Sequence, residues 1–228
     1  MKNKKIDSIE NSEGKNCTID LDRRKTIKKI AVGIGVLTGS SVLPEKWIKP
    51  FVGQTVLPAH AQTSGAGRIV ALGDSIGARS PNWPGVVESK SALNVANYSK
   101  DSLKTGDFVG RVASILDSNN PSHLMILLGT NNARSGSVSS AISDLRTMAR
   151  IGNENNVIVI IGTLPPILTS SSANANAEKI SRGISGISNI RVAEVRSAMG
   201  SGSGLFNDGL HPNSKGTDII ANAFLKQL

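Results

Sequence analysis

Three short, uninterrupted apolar runs constrain this chain more than any other feature: Ile69-Val70-Ala71-Leu72, Leu124-Met125-Ile126-Leu127-Leu128 and Val157–Ile161. Each has the length of a strand, and none alternates with polar residues. A strand that is apolar on both sides is covered on both faces, which is the signature of a parallel sheet between helical layers. Weaker strands are expected at Leu93–Tyr98 and Ile190–Ala193. Helical spacing of apolar residues falls between them, at Thr105–Leu116, Ser137–Arg150, Ala173–Ile184 and Pro212–Leu225, with Pro212 in the first turn. Thr169–Ala177, rich in Ser, Asn and Ala, reads as a mobile loop running into a helix. Alternation of strand and helix predicts an α/β protein. The expected form is a three-layer α/β/α sandwich around a flavodoxin-like parallel sheet of about five strands, over residues 67–228.

The residues ahead of that region have a different character. Residues 1–61 hold 11 Lys/Arg against 6 Asp/Glu, more than half of the net charge of +9. A polar lysine-rich stretch leads to Asp22-Arg23-Arg24-Lys25-Thr26-Ile27-Lys28-Lys29. The mildly apolar Ile30–Leu43 follows, and Leu57-Pro58-Ala59-His60-Ala61 closes the segment. Small residues at Ala59 and Ala61 fit signal-peptidase cleavage after Ala61. The paired arginines and this order of parts resemble a twin-arginine export signal, although Thr26 stands where an aromatic is common. The competing interpretation is a cytoplasmic protein with a basic amphipathic first helix. The apolar run of about 14 residues, broken by Gly33, Gly35 and Gly39, is short of the ~20 needed to span a bilayer. The expectation is an export signal at 1–61, a linker at 62–66, and a periplasmic or secreted protein whose partner in transit is the twin-arginine machinery. No permanent membrane span is expected.

Without that segment the charge is +4 and includes no basic run. Aromatic residues make up 3% of the chain, few for stacking on bases, so a nucleic-acid partner is not expected. The single cysteine, Cys17, lies in the leader, which excludes a disulfide framework or a cysteine zinc cluster. No phosphate loop, dinucleotide fingerprint or metal-ligand spacing occurs, and neither cofactor nor metal is expected.

In an open parallel sheet, ligands bind beyond the carboxyl ends of the strands. Gly73-Asp74-Ser75-Ile76-Gly77 follows the first strand and exposes a serine hydroxyl on a tight turn into a helix. An α/β-hydrolase places its nucleophile after several strands, and a chymotrypsin-like triad needs an upstream histidine; the only one, His60, is in the leader. Gly129-Thr130-Asn131-Asn132 follows the third strand, where the Asn131 amide can face a developing oxyanion. Asp208-Gly209-Leu210-His211 precedes the last helix, with a carboxylate three residues before an imidazole, within reach of its Nδ1. Taken singly, each is also compatible with an ordinary turn. His123, at the opposite end of the sheet, reads as structural, and Arg134 as a solvated loop residue.

In that order the three segments resemble the blocks of the GDSL/SGNH hydrolase family across essentially all of 67–228. The resemblance implies ester hydrolysis through an acyl-serine, with Ser75 as nucleophile, His211 as base and Asp208 orienting it. It implies an oxyanion hole from the Ser75 N–H, the Asn131 side chain and a backbone N–H of the second block. That block departs from the family: Ser102 stands where a glycine is usual, keeping the N–H but giving up easy access to positive φ. Asn132 also replaces a usual aspartate. Asp74, Gly129, Thr130 and Pro165 are expected to line the substrate. The expected substrate is a small-molecule or glycan ester with a small acyl group such as acetyl. Two alternatives stay open: a non-catalytic carbohydrate-binding member of the same fold, and an acyltransferase using the same residues.

Overall fold

The computed structural model describes residues 67–228; the expected export signal and linker lie outside the described residues. Five strands, β1 (Arg68–Gly73), β2 (Asn94–Asn97), β3 (His123–Leu127), β4 (Ile158–Gly162) and β5 (Arg191–Ala193), form one sheet in the order β2-β1-β3-β4-β5. Every neighbouring pair is parallel, with Val70 beside Ala96 on one side and Leu124 on the other. The α/β/α sandwich with a flavodoxin-like strand order is therefore observed.

The apolar runs do what their composition requires. In β1, Val70 and Leu72 point to one face and Ile69 and Ala71 to the other, all fully buried. The first face is covered by α4 (Val112–Asn119), α6 (Val138–Glu154) and α7 (Ser171–Ser185), through residues such as Leu116, Leu145 and Ile180. The second is covered by α2 (Trp83–Ser91), α8 (Val195–Met199) and α9 (Ser214–Leu225). There Trp83 stacks on Phe224 with ring centroids 4.4 Å apart. Each large apolar side chain buried this way contributes roughly 1.5–3 kcal/mol.

The connections leave β1 and β3 on opposite faces. The chain passes from β1 through α2 on one face to β2, and from β3 through α6 on the other to β4. Their divergence opens a crevice at the carboxyl ends of β1 and β3, where the polar turns Gly73–Gly77 and Gly129–Asn132 sit.

Several boundaries differ from the sequence reading. The helix expected over Thr105–Leu116 is two, α3 (Gly106–Val109) and α4, because at Gly110 the Arg111 N–H turns back to the Phe108 carbonyl. α2 was not evident from periodicity, since Gly85, Ser89 and Ser91 dilute its apolar stripe. Its start is nevertheless written in sequence: Asn82 Oδ1 accepts the Gly85 N–H at 2.8 Å, with Pro84 in the first turn. The last helix begins at Ser214, not at Pro212, because Asn213 caps it by accepting the Gly216 N–H. Pro212 instead bridges to Phe206. The Ser/Asn/Ala stretch is already helical from Ser171, capped by Ser170. Among the described residues, no helix is long and apolar enough to cross a membrane.

Candidate active site

Ser75 opens α1 (Ser75–Ala78), a single helical turn at the end of β1. Asp74 caps it, its Oδ1 accepting the Ile76 N–H at 3.0 Å. Gly73 and Gly77 are there because the chain runs close to its neighbour: a Cβ on either would collide with the Ser99 side chain.

His211 reaches this serine from the far end of the sequence. Asn207 donates its N–H to the His211 carbonyl, closing a tight loop, and Gly209 turns it with φ +79°. Asp208 folds back inside the loop. Its Oδ1 accepts the His211 N–H at 2.7 Å and the Leu210 N–H at 2.9 Å, and its Oδ2 lies 2.6 Å from His211 Nδ1. His211 Nε2 lies 3.0 Å from Ser75 Oγ. The imidazole hydrogen bond, aided by the two backbone donors, holds the Asp208 carboxyl well below the usual carboxylate range. With Nδ1–H donated to Asp208, Nε2 is left to accept from the serine hydroxyl.

The expected oxyanion donors frame the other side. Neither the Ser75 nor the Ser102 N–H has an acceptor among the described residues. Ser102 takes φ +66°, the left-handed conformation that a glycine would adopt without strain. Asn131, in α5 (Thr130–Arg134), spends one amide hydrogen on the Leu103 carbonyl at 3.0 Å. That bond fixes the amide plane and leaves its second hydrogen for a ligand. Asn132 is buried and its Oδ1 accepts the Thr105 N–H at 3.1 Å. Residue 132 thus supports the loop that carries Ser102, a role its neighbours in sequence did not suggest.

The residues expected to line the substrate lie lower. Asp74 and Thr130 are buried beneath the crevice, Gly129 turns with φ +128° against Leu164, and the Pro165 carbonyl is taken up by Arg196. None of the four lines the cavity of about 200 Å³ beside the nucleophile. That cavity is walled by Ser75, Ile76, Arg79, Pro81, Asp208 and His211, among others. Arg79 and Pro81 escaped the sequence reading because nothing in their spacing marks them.

Three buried polar side-chain atoms among the described residues lack a hydrogen-bond partner: Asp74 Oδ2, Trp83 Nε1 and Ser99 Oγ. For Asp74, burial pushes the carboxyl up to about 6, against the pull of the Ile76 N–H; Thr130 lies alongside without closing a hydrogen bond. His123 sits at the opposite end of the sheet, half-buried against Ser122, and Arg134 is exposed. No cluster of three or more His, Cys, Asp or Glu that could hold a metal occurs among the described residues.

No family model matches the chain, and no curated protein does either. Solved structures do match. A member of the lipolytic protein G-D-S-L family from Veillonella parvula is 18% identical, with a TM-score of 0.62 over 70% of this chain and 96% of that one. The fold is the SGNH hydrolase fold. A lipase/acylhydrolase from Enterococcus faecalis is 23% identical, with a TM-score of 0.62 over 71% of this chain and 94% of that one. An acetylxylan esterase from Geobacillus stearothermophilus, in a catalytic mutant, is 15% identical, with a TM-score of 0.60 over 72% and 94%.

Proposed function

We propose that the protein is a serine esterase of the GDSL/SGNH type, hydrolysing carboxylic esters through an acyl-serine intermediate. The observation that carries this is the continuous relay from Ser75 Oγ through His211 to Asp208, with spacings of 3.0 and 2.6 Å. Ser75 Oγ attacks the ester carbonyl while His211 Nε2 takes its proton. Asp208 stabilises the imidazolium that forms and holds the ring in register. Charge developing on the carbonyl oxygen meets the Ser75 and Ser102 N–H groups and the free hydrogen of Asn131. As the intermediate collapses, the C–O bond to the alcohol breaks and His211 returns its proton to the leaving oxygen. Water repeats the sequence on the acyl-serine and releases the acid. No step asks for a cofactor.

The cavity at the nucleophile, about 200 Å³, is below the usual ~300–1,000 Å³ of a small-molecule site. We infer short acyl groups, acetyl foremost, on small or glycan alcohols. The acetylxylan esterase among the structural neighbours supports the same class. A panel of 4-nitrophenyl esters graded by acyl length tests it: turnover falling from acetate to octanoate supports the reading, and a maximum at octanoate opposes it. Of the alternatives, the intact relay weighs against a non-catalytic role, and acyl transfer is separated from hydrolysis by product analysis with competing alcohols. The arginine pair and Ala-His-Ala of the leader support export to the periplasm or beyond by the twin-arginine route. Retention of an Arg23→Lys/Arg24→Lys variant in the cytoplasm tests that part.

A further inference from the structure

The turn that carries the nucleophile and the loop that carries Ser102 are joined by one side chain. Arg79 ends α1. Its backbone N–H donates to the Ser75 carbonyl at 3.0 Å. Its guanidinium crosses to Asp101, with Nη2 to Oδ2 at 2.7 Å and Nε to Oδ2 and Oδ1 at 3.0 and 3.2 Å. Asp101 immediately precedes Ser102, the residue held at φ +66°. On the other side of Ser102 the Leu103 carbonyl is tied to Asn131 and the Thr105 N–H to Asn132.

From these contacts we propose that the Arg79–Asp101 pair is a positioning clamp for the oxyanion loop, fitted to the serine that stands at position 102. The proposal rests on the esterase reading for its meaning, though not for its geometry. A glycine at 102 enters the left-handed region without steric penalty; a serine relaxes out of it unless its neighbours hold it. Asn131 and Asn132 grip the loop after Ser102, and Arg79 grips it before. The fork of a guanidinium on a carboxylate fixes direction as well as distance, so the Asp101–Ser102 peptide keeps one orientation relative to Ser75. Each partner is about half exposed, so the pair contributes little to global stability and its effect is local.

The test uses full-length protein with Arg79→Gln, Arg79→Lys and Asp101→Asn, each made with Ser102 and with Ser102→Gly. With Ser102 present, Arg79→Gln and Asp101→Asn lower kcat on 4-nitrophenyl acetate about tenfold with KM within about twofold, since the oxyanion forms only in the transition state. Arg79→Lys, which cannot fork, recovers only part of the loss. On the Ser102→Gly background the same substitutions cost less than about twofold relative to that background. An equal loss on both backgrounds, or a loss carried by KM, overturns the proposal and makes Arg79 a substrate contact. Amide hydrogen exchange reads the clamp without catalysis. Arg79→Gln accelerates exchange at residues 100–104 in the Ser102 protein, and unchanged exchange overturns the proposal. A wild-type protein without ester turnover refutes the esterase reading instead and leaves exchange to decide the clamp.

Discussion

Ser75 Oγ lies 3.0 Å from His211 Nε2, across 136 residues of chain. The contact exists because β1 ends beside the loop that feeds α9, and because Asp208 holds the imidazole from within that loop. The hydrogen bonds from His211 are the main reason the Asp208 carboxyl stays ionised far into acid. Asp208→Asn keeps the shape of the loop and removes the charge that stabilises imidazolium. Its kcat on 4-nitrophenyl acetate is expected to drop about 10²–10⁴-fold with little change in KM. A drop below threefold would show that the carboxylate is not used.

Asn131 is expected to act in the transition state and not in substrate binding. Asn131→Ala removes the proposed oxyanion donor and also frees the Leu103 carbonyl. A fall in kcat of about 10²–10³-fold is predicted from steady-state kinetics. A rise in KM at constant kcat would place the amide on the ground-state substrate.

Ser102→Gly relieves a left-handed serine. Glycine at an exposed position of this conformation is expected to stabilise the fold by about 1 kcal/mol, which is roughly 2–4 °C in Tm for a domain of this size. Thermal unfolding checks it, and a lower Tm would contradict the strain argument.

Asp74 gives the fold a pH dependence opposite to that of a salt-bridged carboxylate. Its pKa is raised by burial from 3.8 to about 6, so between those values the folded state binds more protons than the unfolded one. Stability therefore falls as pH rises from about 4 to about 6, by up to ~3 kcal/mol at full effect, and stays lower above. Asp74→Asn keeps an acceptor for the Ile76 N–H and removes the ionisation. Denaturant unfolding across pH 4–8 is expected to show that slope in the wild type and its loss in Asp74→Asn. Parallel profiles would contradict it.

The sheet was legible in sequence, and so were the strand-end positions of Ser75 and Asn131. Continuous apolar runs announce strands buried on both faces, and the polar residues that interrupt them fall where the crevice opens. Asp208 and His211 follow no strand; the order of the segments and their resemblance to the GDSL/SGNH blocks are what joined them to Ser75 and Asn131. What escaped was whatever depends on contacts between loops. The substitution at Ser102 was visible, but its positive φ follows from the path of the second-block loop. The Arg79–Asp101 pair leaves no periodicity. Asn132 seemed incidental because its partner, the Thr105 N–H, lies 27 residues away. α2 was hidden by glycine and serine in its stripe, although its Asn82 cap was there to be read.

The proposed catalysis requires Ser75 to be a nucleophile activated by His211. Intact-mass analysis of the full-length protein after incubation with a fluorophosphonate measures that directly, with peptide mapping to locate the adduct. One phosphonyl group on Ser75, absent from Ser75→Ala and strongly slowed in His211→Ala, is the predicted result. An unmodified wild-type protein, or an adduct that persists in Ser75→Ala, would contradict it.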